Sequence, residues 1–159
     1  MSDHILLSSN TIFLDVPGED YSEVFSVVSE ELLYKGFVEG DFLTALIERE
    51  KKYPTGLQCE DHVIAIPHAD PVHIKRPFIA VVRTIGPISF MEMTNSGVNL
   101  KTRMIFILGL KRDGEQVKVL RAIMENFAMK STLVNALLIA KSTKECLDIL
   151  KPLEIGKEF

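Results

Sequence analysis

A histidine at the end of a buried strand is the part of this sequence that most directly suggests chemistry. The apolar run from Val63 to Ile66 predicts a short strand covered on both faces. Pro67 must end that strand, because proline fixes φ and has no N–H to donate to a neighbouring strand. His68 is then expected at a strand end, where α/β folds build their sites. Its imidazole is largely neutral at pH 7 and is available as a nucleophile or a base.

Two interpretations of His68 stay open at this point. In the structural one, the imidazole only forms a hydrogen bond with a backbone carbonyl at the strand end. In the functional one, it is a nucleophile, which needs one free ring nitrogen and a second nitrogen held by a backbone acceptor that fixes the tautomer. Neither a serine nucleophile nor a bound nucleotide is indicated, because the sequence has no G-x-S-x-G, P-loop or G-x-G-x-x-G motif.

Two further polar residues, Arg49 and Gln116, are candidates for binding an anion beside a strand end. Arg49 lies late in the second predicted helix, between two glutamates, and such an arginine is commonly solvated. It also leads toward the loop before His68, where a guanidinium offers a fork of donors to phosphate oxygens. Gln116 begins the helix after the third predicted strand, where its amide either donates a hydrogen bond at the strand end or faces water.

A metal site is the main alternative for this segment. Four potential ligands fall within twelve residues: His62, His68, Asp70 and His73. Their spacing is looser than that of recognisable zinc motifs, and Pro67 and Pro71 prevent a helix that would align them. The simpler interpretation is that His62 and His73 are partly exposed loop residues.

Composition restricts the class of protein. The 159 residues are 47% hydrophobic and 25% charged with a net charge of −4, which is typical of one globular domain and offers no basic patch for nucleic acid. The start lacks the basic segment of a signal peptide, and the run Met104 to Leu110 is too short to span a bilayer. Cys59 and Cys146 are far apart and suit a reducing compartment. We therefore expect a cytoplasmic protein with no membrane-inserted segment and a single domain over 1–159.

The pattern of elements predicts an α/β fold, in which a mixed, mostly parallel β-sheet is sandwiched between α-helices. Asp20 and Asp41 are expected to start the first two helices, and the segment Pro54 to Glu60 is expected to be a loop. Gly86-Pro87 predicts a turn after the strand Phe78 to Val82. The remaining predicted strands are Thr11–Val16, Ile88–Met93 and Met104–Leu110; the remaining helices are one from Glu115 and two after it, the last capped by Ser142.

Several short motifs together resemble one protein family. They are Arg49-Glu50, Pro54-Thr55-Gly56 and Ile64-Ala65-Ile66-Pro67-His68, followed by the apolar strand Met104 to Leu110 and the helix through Val117 to Leu120. Over roughly Ser9 to Leu150 the chain resembles the enzyme IIA components of the bacterial phosphoenolpyruvate:sugar phosphotransferase system, of the fructose–mannitol (type 2) class. The short A-[ILV]-P-H core gains specificity from the Arg-Glu and Thr-Gly pairs upstream.

The resemblance implies a phosphoryl carrier with no cofactor and no bound metal. The histidine of that family accepts a phosphoryl group from the phosphocarrier protein HPr and passes it to a cognate IIB component, which acts with the membrane component IIC. That histidine corresponds to His68, and the arginine that stabilises the phosphate in that family corresponds to Arg49. Phosphoryl transfer mainly requires positioning and neutralisation of the phosphoryl oxygens, which these residue types supply.

The chain departs from the family pattern at one position. Many mannitol- and fructose-type members have a second histidine in an E-H-[IL] sequence, where this chain has Glu115-Gln116-Val117. Gln116 offers a hydrogen bond to a phosphate oxygen but no positive charge. This departure, the longer loop before the strand and His73 after the site are most like the galactitol-type IIA branch. The alternative within this family is a regulatory nitrogen-type IIA module, whose phosphorylation state controls its partners.

Overall fold

The computed structural model describes residues 6–128, 131–153 and 155. The described strands are β1 (Ile12–Val16), β2 (Gly56–Gln58), β3 (Val63–Ala65), β4 (Phe78–Met91) and β5 (Asn99–Gly109). The described helices are α1 (Tyr21–Tyr34), α2 (Phe42–Lys52), α3 (Asp113–Phe127), α4 (Thr132–Ile139) and α5 (Thr143–Leu150). None of these helices is both long and apolar enough to cross a lipid bilayer.

The strands form one mixed sheet in the order β1-β4-β5-β3-β2. Strand β1 pairs with β4, and β3 with β5, in parallel, whereas the pairs β4–β5 and β2–β3 are antiparallel. The predicted mixed sheet between helices is confirmed. Among the described strands, parallel pairs are not the majority, because β4 and β5 are joined by the short segment 92–98, which can only connect antiparallel neighbours.

Helices cover both faces of the sheet, and the alternation of side chains along β5 shows why. Ile105 and Ile107 pack with the apolar residues of α1 and α2, while Phe106 and Leu108 pack with those of α3, α4 and α5. Successive side chains of a strand point to opposite faces, so a continuous apolar run is required when both faces are buried. The two cores thereby hold all five helices against one rigid sheet.

The helix starts follow the sequence only in part. The Asp20 carboxylate accepts the Glu23 N–H at 3.0 Å, so the predicted start of α1 at Asp20 is confirmed; the Glu23 carboxylate accepts the N–H of Glu19, one residue before the cap, at 2.7 Å. Asp41 differs, because its side chain makes no cap hydrogen bond. Its carboxylate oxygen instead lies 2.9 Å from Nδ1 of His73. Helix α2 does begin after Asp41, as predicted, but the expectation that the Asp41 side chain caps it as Asp20 caps α1 was wrong.

Two segments expected to be irregular belong to strands. Strand β4 continues through Gly86-Pro87, and its pairing with β5 shifts register between Arg83 and Ile88. The predicted turn was therefore wrong: proline cannot donate to the ladder but is tolerated where a bulge interrupts it. The predicted loop Pro54 to Glu60 likewise contains β2. A Cβ at Gly56 would lie 2.7 Å from the Met91 carbonyl oxygen, which accounts for glycine at this close approach.

Candidate functional site

The segment that carries His68 is held from both sides by backbone hydrogen bonds. The Ile66 N–H donates to the Thr55 carbonyl at 3.2 Å, and the Leu108 N–H donates to the Pro67 carbonyl at 2.9 Å. His68 itself forms a parallel bridge with Leu108 beyond the end of β3. His68 therefore lies at the carboxyl ends of the parallel strands β3 and β5, and its backbone is fixed by the sheet. The sequence predicted the strand end but not the neighbouring strand.

The imidazole of His68 has one nitrogen committed and one available. Its Nδ1 lies 3.1 Å from the Ile66 carbonyl oxygen. Because a carbonyl only accepts, we assign the ring hydrogen to Nδ1, which leaves a lone pair on Nε2. This is the arrangement a nucleophile requires, and it also contains the backbone hydrogen bond of the structural interpretation. The decision between the two interpretations thus depends on what surrounds the ring.

The surroundings favour the neutral ring. Burial is the largest effect and lowers the pKa of His68 below its usual value, because the charged form loses hydration. The Ile66 carbonyl raises the pKa of the ring, Arg49 lowers it and Asp70 raises it. The net shift is downward, so at pH 7 the Nε2 lone pair is present on most molecules. A neutral imidazole beside a guanidinium is suited to attack an anionic electrophile.

Arg49 approaches the site from the last turn of α2. Its Nη1 donates at 2.8 Å to the carboxylate of Asp70, which follows His68 by two residues. Its guanidinium also lies 5.3 Å from the centre of the Tyr53 ring. The side chain is 32% exposed. The predicted approach of Arg49 to the histidine loop therefore occurs, and the purely solvated interpretation does not describe its contacts.

Gln116 lies at the start of α3 and contacts the same loop. Its Nε2 donates to the Ala69 carbonyl at 3.1 Å. This bond links residues 47 positions apart and ties α3 to the backbone immediately after His68. The structure therefore brings Arg49, His68 and Gln116 to one loop, while the carboxamide of Gln116 is engaged with the backbone.

A buried carboxyl group behind the site was given no role from the sequence. Glu50 is only 4% exposed, and its carboxylate accepts both the Thr55 N–H and the Thr55 hydroxyl at 2.8 Å. Thr55 in turn supplies the carbonyl that accepts the Ile66 N–H. A signal was present in the sequence, because Phe42, Leu46 and Glu50 recur every four residues and lie on the buried face of α2.

We expect the titration of Glu50 to be visible in the pH dependence of stability. Burial raises the pKa of Glu50 to about 7, against 4.5 for a solvated glutamate. Because the folded state holds the proton more tightly, this contribution to the free energy of unfolding is full below pH 4.5 and is lost as pH rises toward 7. The expected loss is on the order of 1–3 kcal/mol. It is measured by urea unfolding at pH 5 and pH 8.

The control is the exposed neighbour Glu48 on the same helix. Glu50→Gln should remove this component of the pH dependence, whatever its effect on absolute stability, and Glu48→Gln should leave it in place. Equal differences between pH 5 and pH 8 in Glu50→Gln and in the wild-type chain would contradict the assignment.

The rings of the two other described histidines form their hydrogen bonds outside this site, although His73 lines the same surface pocket as Arg49 and Asp70. His62 contacts Asp61 and the Phe127 carbonyl, and His73 contacts Asp41. His62 is largely buried rather than exposed in a loop, because the end of α3 packs over it. Among the described residues, no group of three or more His, Cys, Asp or Glu side chains is close enough together to hold a metal ion.

The fold is shared with solved IIA domains. The chain is similar to IIA mannitol from Escherichia coli, with a TM-score of 0.75 and 21% identity over 92% of this chain and 99% of that one. It is also similar to the nitrogen regulatory protein IIA-Ntr from Neisseria meningitidis, with a TM-score of 0.69 and 25% identity over 91% of this chain and 96% of that one. The mannitol protein, below 25% identity, is evidence for the fold alone.

The family follows from sequence. Residues 5–152 match the family model described as phosphoenolpyruvate-dependent sugar phosphotransferase system, EIIA 2. The chain is 33% identical over 104 residues to the galactitol-specific EIIA component of Escherichia coli K12, covering 65% of this chain and 69% of that protein. The chain belongs to the EIIA 2 family and is a component of the phosphotransferase type, as its motifs predicted.

Proposed function

We propose that this protein is a phosphoryl carrier that accepts its phosphoryl group on Nε2 of His68. Phospho-HPr is the donor, and a cognate IIB component acting with a membrane IIC component is the acceptor. The observation that carries the proposal is the imidazole whose Nδ1 lies 3.1 Å from a backbone carbonyl, in a loop that also contacts Arg49. Gln116 positions that loop through the Ala69 carbonyl.

The transfer needs no group beyond these side chains. The Nε2 lone pair attacks phosphorus, the new N–P bond forms, and the bond from phosphorus to the donor breaks with its electron pair remaining on the donor. The imidazole gains positive charge as the bond forms, and the Ile66 carbonyl that accepts from Nδ1 stabilises that charge. The Arg49 guanidinium neutralises the phosphoryl oxygens, which is the main catalytic requirement of such a transfer.

Exposed apolar side chains near the site support docking of protein partners. Val72, in the 3-10 turn Pro71–His73, is 75% exposed, and Val117, next to Gln116, is 57% exposed. Large apolar side chains are typical of the centre of a protein interface and carry much of its binding energy. Both lie within a few residues of the loop or helix start that holds the site, so a donor or an acceptor protein that covers them also covers His68.

The relatives indicate which IIB component to test. The curated relative at 33% identity is galactitol-specific, so a galactitol-type IIB is the first candidate acceptor. A structure of the Escherichia coli mannitol IIA with phosphorylated mannitol IIB, similar to this chain at a TM-score of 0.74, illustrates such a pair in a protein of this fold. The role places this chain in the cytoplasm, where phospho-HPr is available.

The decisive experiment is transfer out of the protein. The chain is labelled with radioactive phosphoenolpyruvate, enzyme I and HPr, separated from them, and mixed with a purified galactitol-type IIB. We expect the label to move to IIB within the mixing time of a manual assay. Label that stays on this chain in the presence of folded IIB would contradict the transport role.

The second candidate is the regulatory nitrogen-type module, favoured by the 25% identity to IIA-Ntr. That role predicts labelling from phospho-HPr without onward transfer to IIB. The same assay separates the two functions, because only the transport role requires a second transfer.

The transfer of the phosphoryl group from phospho-HPr to His68 should become slower at acidic pH. A protonated imidazole has no lone pair on Nε2, and burial holds the pKa of His68 below its usual 6.5. The rate of labelling is therefore expected to be flat above neutral pH and to fall only below about pH 6.5. It is measured by rapid quench with phospho-HPr in excess, and phosphorylation of HPr by enzyme I over the same pH range is the control. A rate that rises as pH falls would contradict a neutral nucleophile.

A further inference from the structure

The Arg49 guanidinium already has an anionic partner. Its Nη1 donates to the Asp70 carboxylate at 2.8 Å, and that carboxylate is 67% exposed. Asp70 precedes the 3-10 turn Pro71–His73, yet within the described residues its side chain makes no cap hydrogen bond to that turn. A pair this exposed contributes little to the stability of a fold. The contact therefore calls for a role at the site itself.

The guanidinium is also incompletely satisfied in this state. Nε of Arg49 is buried, and it is one of two buried side-chain polar atoms among the described residues that have no hydrogen-bond partner. A buried donor without a partner is costly, so the arginine gains from any acceptor that engages more of its N–H groups than Asp70 does. A phosphoryl group on His68 supplies three acceptor oxygens, and guanidinium groups bind such oxygens in a bidentate manner.

Both charges act on the same imidazole, and they act in opposite directions. Arg49 lowers the pKa of His68, and Asp70 raises it, so each is within electrostatic reach of the ring. A phosphoryl group on Nε2 brings close to two negative charges to this place. It attracts the guanidinium and repels the carboxylate, which sets the phosphoryl group and Asp70 in competition for one cation.

We propose that Asp70 is a positioning residue that competes with the phosphoryl group on His68 for the Arg49 guanidinium. Because Asp70 forms an ion pair with the guanidinium, it weakens the interaction of Arg49 with the phosphoryl group. This destabilises the phosphohistidine relative to the free histidine and favours transfer of the group to the next protein. The inference rests on the proposed function, since it concerns the phosphorylated state of the same histidine.

The test is the equilibrium of the phosphoryl group between HPr and this chain. Each variant is mixed with phospho-HPr until the distribution no longer changes, and both phosphoproteins are quantified. Asp70→Asn should shift the equilibrium roughly three- to tenfold toward the phosphorylated chain, because the Arg49 guanidinium is then no longer held by a carboxylate and its charge acts fully on the dianionic group. Asp70→Glu, which keeps a carboxylate able to reach Arg49, should restore a distribution near that of the wild-type chain.

Two comparisons make the result specific. The control variant Asp148→Asn removes a similar exposed carboxylate, which is paired at 3.1 Å with Lys144 on α5. Because α5 packs against α4 and β1, this variant should leave the equilibrium unchanged. In an Arg49→Ala background, Asp70→Asn should have a clearly smaller effect, because the cation under competition is absent. An equilibrium is read at its end point, so the slower transfer expected of that background does not distort it.

Each outcome decides between hypotheses. If the wild-type chain takes no label from phospho-HPr, the proposed function fails. If it is labelled but Asp70→Asn leaves the equilibrium where it was, or moves it toward HPr, the competition is wrong and the proposed function stands. An equal effect of Asp70→Asn with and without Arg49 would also overturn the competition, since Asp70 would then act directly on the phosphoryl group.

Discussion

Replacement of His68 by alanine is expected to abolish labelling by phosphoenolpyruvate, enzyme I and HPr. The rings of the two other described histidines are engaged elsewhere, His62 with Asp61 and the Phe127 carbonyl and His73 with Asp41, so neither is expected to substitute for Nε2 as the acceptor. The label on the wild-type chain should be lost in acid and stable in alkali, as a phosphorylated imidazole is. The measurement is incorporation of radioactive phosphate with saturating HPr, and the expected change is a fall to background.

Two further variants keep this prediction sharp. His68→Asn retains a side-chain N–H that can donate toward the Ile66 carbonyl, so it separates loss of the nucleophile from loss of the strand-end contact. It should be folded by circular dichroism and unlabelled. His62→Gln removes a histidine that lies against the end of α3 and should still be labelled. Label that persists in both His68 variants would remove His68 from the proposed function.

Replacement of Arg49 by alanine is expected to slow acceptance of the phosphoryl group about 10²- to 10³-fold. Removing one preorganised donor to a developing anion commonly costs a factor of this size. The same change should cost less than about 1 kcal/mol of stability, because Arg49 pairs with an exposed carboxylate and is itself 32% exposed. Rapid-quench kinetics of transfer from phospho-HPr and urea unfolding of the same samples give the two numbers.

The control for Arg49 lies on the same helix. Lys51 is exposed in the last turn of α2, two residues after Arg49, so Lys51→Ala removes a positive charge from the same turn of the helix. It should leave the transfer rate within a fewfold of the wild-type chain. Arg49→Lys should recover part of the rate, since it restores the charge without the fork of donors. Unchanged kinetics in Arg49→Ala would return Arg49 to the role of a solvated helix residue.

Much of the fold could be read from the sequence because its signals are local. The strand before Pro67 and the caps at Asp20 and Ser142 each depend on a few adjacent residues. The errors came where distant contacts overrode such signals. Gly86-Pro87 passes through a bulged strand because β5 pairs with β4 on both sides of it, and the Asp41 side chain is directed to His73 and not to its own helix.

In the candidate site, too, local features could be predicted from the sequence and distant contacts could not. His68 was recognisable because Pro67 marks the end of the strand immediately before it. Its Nδ1 contact is also local, to a carbonyl only two residues away. Arg49 and Gln116 were recognisable as residue types in motifs, but their contacts to this loop were not. Glu50 was overlooked as a buried carboxyl group, although its spacing from Phe42 and Leu46 placed it on the apolar face.

By itself the sequence determined most of the helices and strands, the histidine at the end of β3 and the family, since each of these depends on short runs of adjacent residues. Only the tertiary structure decided which charges act on that histidine. The Arg49–Asp70 and Gln116–Ala69 contacts join residues 21 and 47 positions apart. Whether such contacts form depends on how α2 and α3 pack against the two faces of the sheet. Hydrophobic periodicity specifies which face of a helix is buried, but not where along the sheet that helix comes to rest.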